Sequence, residues 1–360
     1  MPLERIRVDG LRILKDVDCR LHPERNYFFG PNGAGKTSLL EAIYLLGRGR
    51  SFRTRQSRRL VQHGRESLSV YAEHRGAAGD VQRIGVGVGP DGLEYRIDRR
   101  AGVGVTDVAR RVRVDVIDPS LHKLVEGGPS ERRRFIDWGV FHVEPSYLDA
   151  WKRYRRVLGQ RNAALKAQAG TEQLATWNRA LIDAGEVVHR AREEYVERLA
   201  RAVTEVGGRL LGSRLEITYR PGWRLGLGFA EALAEAGERD RAFGHTQVGP
   251  HRADLVVSVD GVPAADEASR GQQKLVAAAL IAAQIRETHR AAKADVVLLV
   301  DDPAAELDRH ALGRLVTEIE ALPCQLVITG LSPEGLPVEA GCPVFHVEQG
   351  RVERCYNESI

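Results

Sequence analysis

Long hydrophobic runs are missing from this 360-residue sequence. No apolar stretch approaches the roughly 18 residues that a membrane-spanning helix needs. The first residues, Met1 to Arg7, also lack the apolar core of a secretory signal peptide. These absences argue against a helical membrane protein and against a membrane partner, and they predict a soluble, cytoplasmic protein.

Cysteine is scarce, and its four positions, Cys19, Cys324, Cys342 and Cys355, are scattered along the chain. There is no C-x-x-C pair and no nearby histidine at the spacing of metal ligands, so neither zinc nor disulfides are indicated. We expect four reduced thiols. The apolar content of 43% is ordinary for a globular protein, and the length allows two compact lobes, each with its own core.

Net charge is only +4, but it is unevenly distributed. Residues 1–160 carry 30 Lys and Arg against 20 Asp and Glu, whereas residues 161–360 carry 23 against 29. Two clusters hold many of the arginines: Arg48, Arg50, Arg53, Arg55, Arg58 and Arg59, and then Arg132, Arg133, Arg134, Arg153, Arg155 and Arg156. Such clusters suit a nucleic-acid phosphate backbone. Each can equally be an ordinary solvated surface.

One stretch of eight residues matches the phosphate-binding pattern G-x-x-x-x-G-K-[ST]. It consists of Gly30, Pro31, Asn32, Gly33, Ala34, Gly35, Lys36 and Thr37. An apolar strand over residues 26–29 precedes it and an amphipathic helix over residues 37–46 follows, which is the order the motif requires. Glycines let backbone N–H groups surround a phosphate at the positive end of the helix. Lys36 is expected to reach the β- and γ-phosphates of ATP or GTP, and Thr37 to hold Mg²⁺.

A second motif lies about 265 residues further on, where the apolar residues 296–300 are followed by Asp301 and Asp302. Parallel-sheet enzymes place their chemistry at the carboxyl ends of strands. Asp301 is expected to bind Mg²⁺, usually through water, opposite Thr37, while Asp302 orients or deprotonates the attacking water. An acidic pair before Pro303 can also simply begin a turn. The phosphate loop favours the catalytic interpretation.

The long separation of the two motifs differs from helicases and small GTPases, in which the second motif lies far closer. Ser269-Arg270-Gly271-Gln272 resembles the S-G-G-Q signature of ABC-type ATPases, and residues 305–308, ending in Asp308, resemble their D-loop. The resemblance implies that Ser269 serves the γ-phosphate of a second subunit, so that ATP joins a head-to-tail homodimer. On that basis Ser269, Gly271, Gln272 and Asp308 are assigned to a nucleotide. Taken alone, Ser-Arg-Gly-Gln is a plain helix cap.

Over nearly its whole length the sequence resembles the RecF proteins, bacterial ABC-type ATPases related to the heads of SMC proteins. Besides the nucleotide motifs, the resemblance rests on Ser51-Phe52-Arg53-Thr54, on residues 128–137 and on Gly249-Pro250-His251-Arg252. It implies an α/β fold: an ABC-type P-loop ATPase head, with a mixed sheet, helices and antiparallel strands, and an inserted, mainly helical second lobe. The expected ATPase lobe comprises residues 1–120 and 249–360, and the helical lobe residues 121–248. Arg53 stands in a place similar to the arginine finger of SMC heads and is assigned to the nucleotide.

The same resemblance implies a function in recombinational repair and replication. ATP-driven dimerisation would clamp DNA at single-stranded gaps or junctions with duplex, and slow hydrolysis would release it. A weak, DNA-stimulated ATPase of this kind would support recombinase loading and SOS induction together with RecO and RecR. Slow hydrolysis is also expected because Thr329 stands where transporters place the switch histidine, which positions the γ-phosphate and water. Two further departures are Ser120, where the family usually has an acidic residue, and the lack of a Q-loop glutamine between Gln82 and Gln160.

Two other functions compete with a DNA clamp. One is a nucleotide-controlled protein scaffold that contacts DNA incidentally, because basic clusters alone do not exclude it. The other is a soluble subunit of an ABC transporter, which is disfavoured because the long insertion and the basic first half have no role there.

Periodicity gives a coarse arrangement of secondary structure. Alternation with period two predicts antiparallel strands over residues 3–8, 68–74, 82–88, 93–98 and 112–117. Helical spacing from Tyr147, and then a heptad-like stripe from Leu174 to Tyr195, predict two helices joined near residues 169–171. Such a hairpin is either a short protruding arm or ordinary packing within a lobe.

Overall fold

A computed structural model describes residues 2–76, 79–98, 100–305, 307–333 and 342–355. The chain divides into two compact units. Unit 1 combines Met1–Leu121 with Lys293–Ile360, and unit 2 is His122–Ala292. Residues 249–292, which sequence analysis assigned to the ATPase lobe, therefore belong to unit 2.

A largely parallel sheet forms one layer of unit 1. Its strands are β3 (Arg25–Phe29), β8 (Arg113–Ile117), β12 (Val296–Val300), β13 (Cys324–Gly330), β14 (Val344–Glu348) and β15 (Arg351–Cys355). Among the described residues their order is β15-β14-β3-β13-β12-β8, and only β15 pairs antiparallel. Strands β3, β12 and β13 are buried along nearly their whole length, which explains why they are apolar runs and not alternating patterns.

The antiparallel pairing predicted for residues 112–117 is wrong. Strand β8 runs parallel to β12, with Val114 opposite Val297 and Ile117 opposite Val300. Alternation identifies a strand but carries no information on its direction, and the partner strand lies far along the chain. Asp115, a polar position of the alternating pattern, is also buried, and its carboxylate pairs with Arg48 inside unit 1.

The second sheet of unit 1 is antiparallel. It comprises β1 (Leu3–Leu11), β2 (Leu14–Arg20), β4 (Leu68–Arg75), β5 (Val81–Gly89), β6 (Gly92–Ile97) and β7 (Arg100–Ala101). In the described chain the strand order is β2-β1-β4-β5-β6-β7. Burial alternates along β4 and β2, as expected for a sheet with one face on the core. The strands predicted over residues 3–8, 68–74, 82–88 and 93–98 are confirmed.

Helix α1 (Lys36–Arg48) lies in the core of unit 1, which also contains α2 (Val105–Ala109) and α11 (Arg309–Glu320). It contacts β8 and β13 of the first sheet and β1, β4 and β5 of the second. Residues 38–47 of this helix are all buried. The burial of α1 therefore includes polar positions such as Ser38 and Glu41 as well as its apolar residues.

Unit 2 is mainly helical. Its helices are α3 (Lys123–Glu126), α4 (Pro129–Val143), α5 (Tyr147–Lys166), α6 (Thr171–Leu211), α7 (Phe229–Glu235), α8 (Gly237–Phe243), α9 (Ala264–Glu267) and α10 (Arg270–Ala292). Strands β9 (Leu215–Arg220), β10 (Asp254–Val259) and β11 (Val262–Pro263) pair in the order β11-β10-β9. Among the residues described, no helix has both the length and the apolar character to cross a bilayer.

The long helices of unit 2 show how the predicted helical hairpin packs and why residues 249–292 belong to this unit. Helices α5 and α6 are antiparallel, because Arg161 bonds to Asn178 near one end and Tyr147 to Arg192 near the other. Helix α6 also contacts α4, α10 and β9, so the predicted stripe reflects packing within the unit and not a protruding arm. Helix α10 contacts α3, α4 and α6, which explains why the segment leading into it belongs to unit 2.

Candidate nucleotide-binding site

The phosphate loop joins β3 to α1, and two of its glycines are required by its shape. A Cβ added at Gly30 would lie 2.0 Å from the carbonyl oxygen of Val347 in β14. Gly35 precedes the helix with φ of +116°, a conformation that glycine adopts readily and other residues rarely do. The loop can therefore pass close to β14 and then turn directly into α1.

Lys36 is the first residue of α1, and its side chain bends back over the loop. Its ammonium donates hydrogen bonds to the carbonyl oxygens of Gly30 (2.7 Å) and Pro31 (3.0 Å). Burial lowers the pKa of Lys36, while the carboxylates of Asp302 and Asp301 act in the opposite direction. The lysine of the first motif and the two acids of the second motif thus lie close enough to interact electrostatically.

Asp301 is the point at which the two motifs touch. The Thr37 hydroxyl oxygen lies 3.0 Å from each carboxylate oxygen of Asp301, and the Thr329 hydroxyl lies 2.9 Å from one of them. Burial raises the pKa of Asp301, whereas the hydrogen bonds from Thr329 and Thr37 lower it. Two hydroxyls and one carboxylate therefore converge where β12 and β13 end and α1 begins.

These oxygen atoms fit a magnesium ion. Mg²⁺ prefers oxygen ligands, and in nucleotide sites it is held by one or two protein oxygens while phosphates and water complete its coordination. The Thr37 hydroxyl and the Asp301 carboxylate are such a pair, and both lie beside the phosphate loop. The residues expected to hold the metal are therefore adjacent.

Asp302 follows in an uncommon backbone conformation, with φ of +45°. Residues other than glycine seldom adopt this left-handed region, and such residues cluster at functional sites. The Asp302 N–H donates to the Thr329 hydroxyl at 3.0 Å. The Thr329 hydroxyl thus contacts both acids of the second motif.

Asp118 is an acid that sequence reasoning missed. It directly follows β8, the parallel neighbour of β12, and its charge contributes to raising the pKa of Asp301 after the larger effect of burial. Ser120 donates its hydroxyl to Asp118 at 2.8 Å. Had residues 112–117 been recognised as a parallel strand, Asp118 would have been expected at the same sheet edge as Asp301.

Arg53 belongs to a cluster of ion pairs around Glu41, a residue of α1. Its guanidinium is 3.9 Å from the Glu41 carboxylate, and its side chain is 53% exposed. Glu41 is fully buried and also pairs with Arg12, at 2.9 Å from the terminal nitrogen, and with the hydroxyl of Ser51. Ser51 in turn accepts a hydrogen bond from the Arg53 N–H at 2.9 Å. The assignment of Arg53 to the nucleotide stays a prediction.

The signature-like residues belong to unit 2 and lie on the exposed start of α10. Ser269 and Gln272 form a reciprocal cap, because the Ser269 N–H donates to the Gln272 side chain at 2.9 Å and the Gln272 N–H donates to the Ser269 hydroxyl at 3.3 Å. A Cβ at Gly271 would meet no atom within 4 Å. The exposed backbone N–H groups of such a helix start attract anions.

Asp308 caps α11 in unit 1. Its carboxylate accepts a hydrogen bond from the Ala311 N–H at 2.9 Å, and this bond lowers the pKa of Asp308. Glu306, in the D-loop-like segment, lies outside the described residues. The structure therefore brings together Lys36, Thr37, Asp301 and the rest of the phosphate loop, while the assignments of Ser269, Gly271, Gln272 and Asp308 to a nucleotide stay predictions.

The two remaining sequence motifs, residues 128–137 and 249–252, are linked inside unit 2 by ion pairs and hydrogen bonds that involve these residues and Asp254. Arg132 makes a two-pronged ion pair with Asp254 at 2.8 and 2.9 Å. Arg192 joins Asp137 at 2.7 Å to the carbonyl oxygen of Pro250 at 2.6 Å. Residues 128–137 and 249–254 are therefore fixed to one another, and no pattern in the sequence indicates this pairing.

Comparisons with known proteins identify the family and the fold. The RecF/RecN/SMC N-terminal domain family matches residues 2–351. A DNA replication and repair protein RecF from Thioalkalivibrio sulfidiphilus is 40% identical over 360 residues, which covers 97% of this chain and 98% of that protein. A solved structure of the recombination mediator protein RecF-ATP in the RecFOR pathway has a TM-score of 0.88 at 25% identity and covers 99% of this chain and 98% of its own. A crystal structure of an Smc head bound to the C-winged helix domain of ScpA, with a TM-score of 0.60 at 16% identity over 99% and 98% of the two chains, shares the fold.

Proposed function

Because this chain belongs to the RecF family, we propose that it is an ATP-controlled DNA-binding protein of recombinational repair and replication. The observation that supports nucleotide binding most directly is the contact between Thr37 and Asp301, beside Lys36. ATP is favoured as the nucleotide because a solved RecF-ATP structure matches nearly the whole chain.

In the proposed site each residue has one task. The loop N–H groups and Lys36 bind the phosphates, and Thr37 and Asp301 hold Mg²⁺, which neutralises charge on the β- and γ-phosphates. Asp302 orients or deprotonates the attacking water. Thr329 donates a hydrogen bond but cannot carry a positive charge as histidine can, so hydrolysis is slow and the bound state persists. DNA stimulates this slow hydrolysis.

ATP also controls assembly in this proposal. Ser269 lies exposed at the start of α10, where the helix attracts a phosphate. The Ser269 of one subunit meets the γ-phosphate held by Lys36 of another, so that ATP joins a head-to-tail homodimer. The composite nucleotide site is completed by Gly271, Gln272, Asp308 and Arg53. Hydrolysis of ATP then separates the two subunits.

The dimer acts as a clamp on DNA in the cytoplasm. Its basic surfaces hold the DNA backbone at single-stranded gaps or at their junctions with duplex, and release follows hydrolysis. By the RecFOR pathway named for the solved relative, RecR and RecO are its protein partners. Through them the protein supports recombinase loading and SOS induction.

Mass in solution, measured with and without ATP and gapped DNA, tests this proposal. We expect a monomer without nucleotide, a dimer with ATP, and tighter binding of labelled DNA in ATP that weakens steeply as salt rises. A dimer that forms with ATP but shows no ATP-linked DNA affinity would support the protein scaffold instead. A chain that binds no ATP would defeat both functions.

A further inference from the structure

Six cationic side chains of unit 2 lie on three chain segments that contact one another. We call them the α5 basic surface, and they are Arg133, Lys152, Arg153, Arg155, Arg156 and Arg252. All are exposed except Arg133, which is partly buried. They come from three separate segments of the chain, namely α4, α5 and the turn before β10.

A hydrogen bond of 2.7 Å joins Tyr154 of α5 to His251 in the turn before β10. Arg155 and Arg252 are the next residues along the chain from these two. Arg133 donates a hydrogen bond to the carbonyl oxygen of Ala253 at 2.7 Å. The fold therefore brings Arg252 together with Arg133 and Arg155, which lie about a hundred residues earlier in the sequence.

Helix α5 has little negative charge of its own to compensate its positive charge. Asp149 is the only acidic residue between Tyr147 and Lys166. Lys152 neighbours Arg155 and Arg156 at helical spacings of three and four residues, and such like-charge pairs destabilise a helix. An anion bound beside Lys152, Arg155 and Arg156 would relieve the repulsion between them.

Some of the exposed arginines elsewhere in unit 2 are neutralised by acidic residues. Several have a carboxylate partner within 4 Å: Arg134 with Glu131, Arg190 with Glu186, Arg214 with Glu216, Arg224 with Glu235, and Arg290 with Glu287. Within the part of the chain that the structure describes, Lys152, Arg153, Arg155, Arg156 and Arg252 make no ion pair with a carboxylate. The positive charge of these five side chains is thus left available to a ligand.

The chemistry of the surface favours a nucleic-acid backbone over a protein partner. Protein interfaces are anchored by large apolar side chains in their centre. Of the large apolar residues exposed in the described chain, none lies within residues 147–166 or 249–254. Guanidinium groups are suited to phosphates, which they bind through two parallel hydrogen bonds.

We infer that the α5 basic surface is where unit 2 binds the phosphodiester backbone of DNA. This inference rests on the proposed function, because it assigns particular residues to the DNA contact of the clamp. It separates the second arginine cluster of the sequence into two parts. Arg132 is engaged with Asp254 inside the unit, whereas Arg153, Arg155 and Arg156 face solvent and contact phosphates.

A double variant, Arg155→Gln with Arg252→Gln, tests the assignment. Arg133 is left intact because it also bonds to the backbone. The matched control is Arg190→Gln with Arg224→Gln, which removes the same charge from arginines of unit 2 that are 70% and 71% exposed. Binding of a fluorescent duplex is measured by anisotropy in saturating ATP at several salt concentrations, and ATP binding and thermal unfolding are measured on every variant.

The expected result is weaker DNA binding by the double variant, on every DNA sequence alike, and a slope of log affinity against log salt reduced by about two. The control should keep the slope of the unaltered protein. Arg153→Gln with Arg156→Gln, on the exposed side of α5, should reproduce the loss and covers the case in which the first variant does not fold. Slopes equal to the control in both variants would overturn the α5 assignment alone. Absence of ATP-linked DNA binding by the unaltered protein would overturn the proposed function and this assignment with it.

Discussion

The Thr37 hydroxyl oxygen lies 3.0 Å from both carboxylate oxygens of Asp301, although 264 residues separate them in sequence. The parallel sheet explains this contact. Strand β13 lies between β3 and β12, so the loop after β3 and the acids after β12 emerge at the same edge. Neither end of the chain can form the site alone, and each side chain there can be tested separately.

Replacing Lys36 with Met should remove ATP binding while leaving unit 1 folded. The charge-assisted hydrogen bonds that the ammonium would make to phosphate are each worth about 1.5–3 kcal/mol, so ATP affinity should fall at least about tenfold. Titration with fluorescent ATP measures the loss. Lys15→Met, an exposed lysine of the same unit, is the control and should bind ATP normally; unchanged affinity in Lys36→Met would contradict the assignment.

Asp302→Asn should bind ATP but hydrolyse it poorly. An amide cannot accept a proton from the attacking water, and general-base catalysis contributes roughly 10²–10⁴-fold to rate. Phosphate release should therefore fall by about that factor, and light scattering should show a dimer that persists in ATP. Asp91→Asn, in an exposed turn of unit 1, controls for loss of one charge. Normal turnover by Asp302→Asn would remove that residue from the mechanism.

Ser269→Arg should separate ATP binding from dimerisation. The substitution places a large cation at the exposed start of α10, where the proposal brings the phosphates of a second subunit. ATP affinity of the monomer should be unchanged, whereas the ATP-induced dimer seen by light scattering should disappear. Ser67→Arg adds the same side chain at an exposed position of unit 1 and should still dimerise. A dimer formed by Ser269→Arg would show that this serine does not act across subunits.

Sequence reasoning succeeded where the structure is local. The strand, loop and helix around Lys36 and the strand over residues 296–300 lie where they were predicted, because apolar runs and a glycine loop are decided by neighbouring residues. The family resemblance and the fold class are confirmed by the comparisons.

Sequence reasoning failed for strands and side chains whose partners lie far away in the chain. Period two in residues 112–117 indicated a strand but not its parallel pairing with β12, and Asp118 was missed for the same reason. Helix α10 is apolar on most sides, and nothing in that pattern says which unit it packs against. The contact of Arg132 with Asp254 likewise joins residues 122 positions apart and has no local signature.

Thr329→Val should destabilise the segment that carries Asp301 and Asp302, while the side-chain volume at position 329 stays nearly the same. The Thr329 hydroxyl donates to Asp301 and accepts from the Asp302 N–H, and the side chain is fully buried. Leaving these groups without their partner costs about 1–3 kcal/mol, so unfolding should need less urea and ATP turnover should need more Mg²⁺. Thr329→Ser, which retains the hydroxyl, should behave like the unaltered protein. Equal stability of the valine variant would show that other groups replace these bonds.

His251 should make unit 2 sensitive to acid. Burial is the main cause that lowers the pKa of His251 to about 4, and the charges of Arg252, Arg133 and Arg155 add to it. The neutral ring receives the Tyr154 hydroxyl on one nitrogen and lies 3.1 Å from the Thr246 carbonyl oxygen on the other. Protonation would deprive Tyr154 of its acceptor and place a further cation beside the α5 basic surface.

Because the pKa of His251 is lower in the folded protein than the ordinary 6.5, the unfolded chain binds the proton more readily. The stability contributed by the neutral ring is therefore fully present above pH 6.5 and is lost as pH falls towards about 4, by up to about 3 kcal/mol. Urea unfolding at pH 7.5 and 4.5 should show a smaller loss on acidification for His251→Gln than for the unaltered protein. His63→Gln, an exposed histidine of unit 1, should not reduce the loss. Equal losses in all three proteins would show that His251 does not control the acid response.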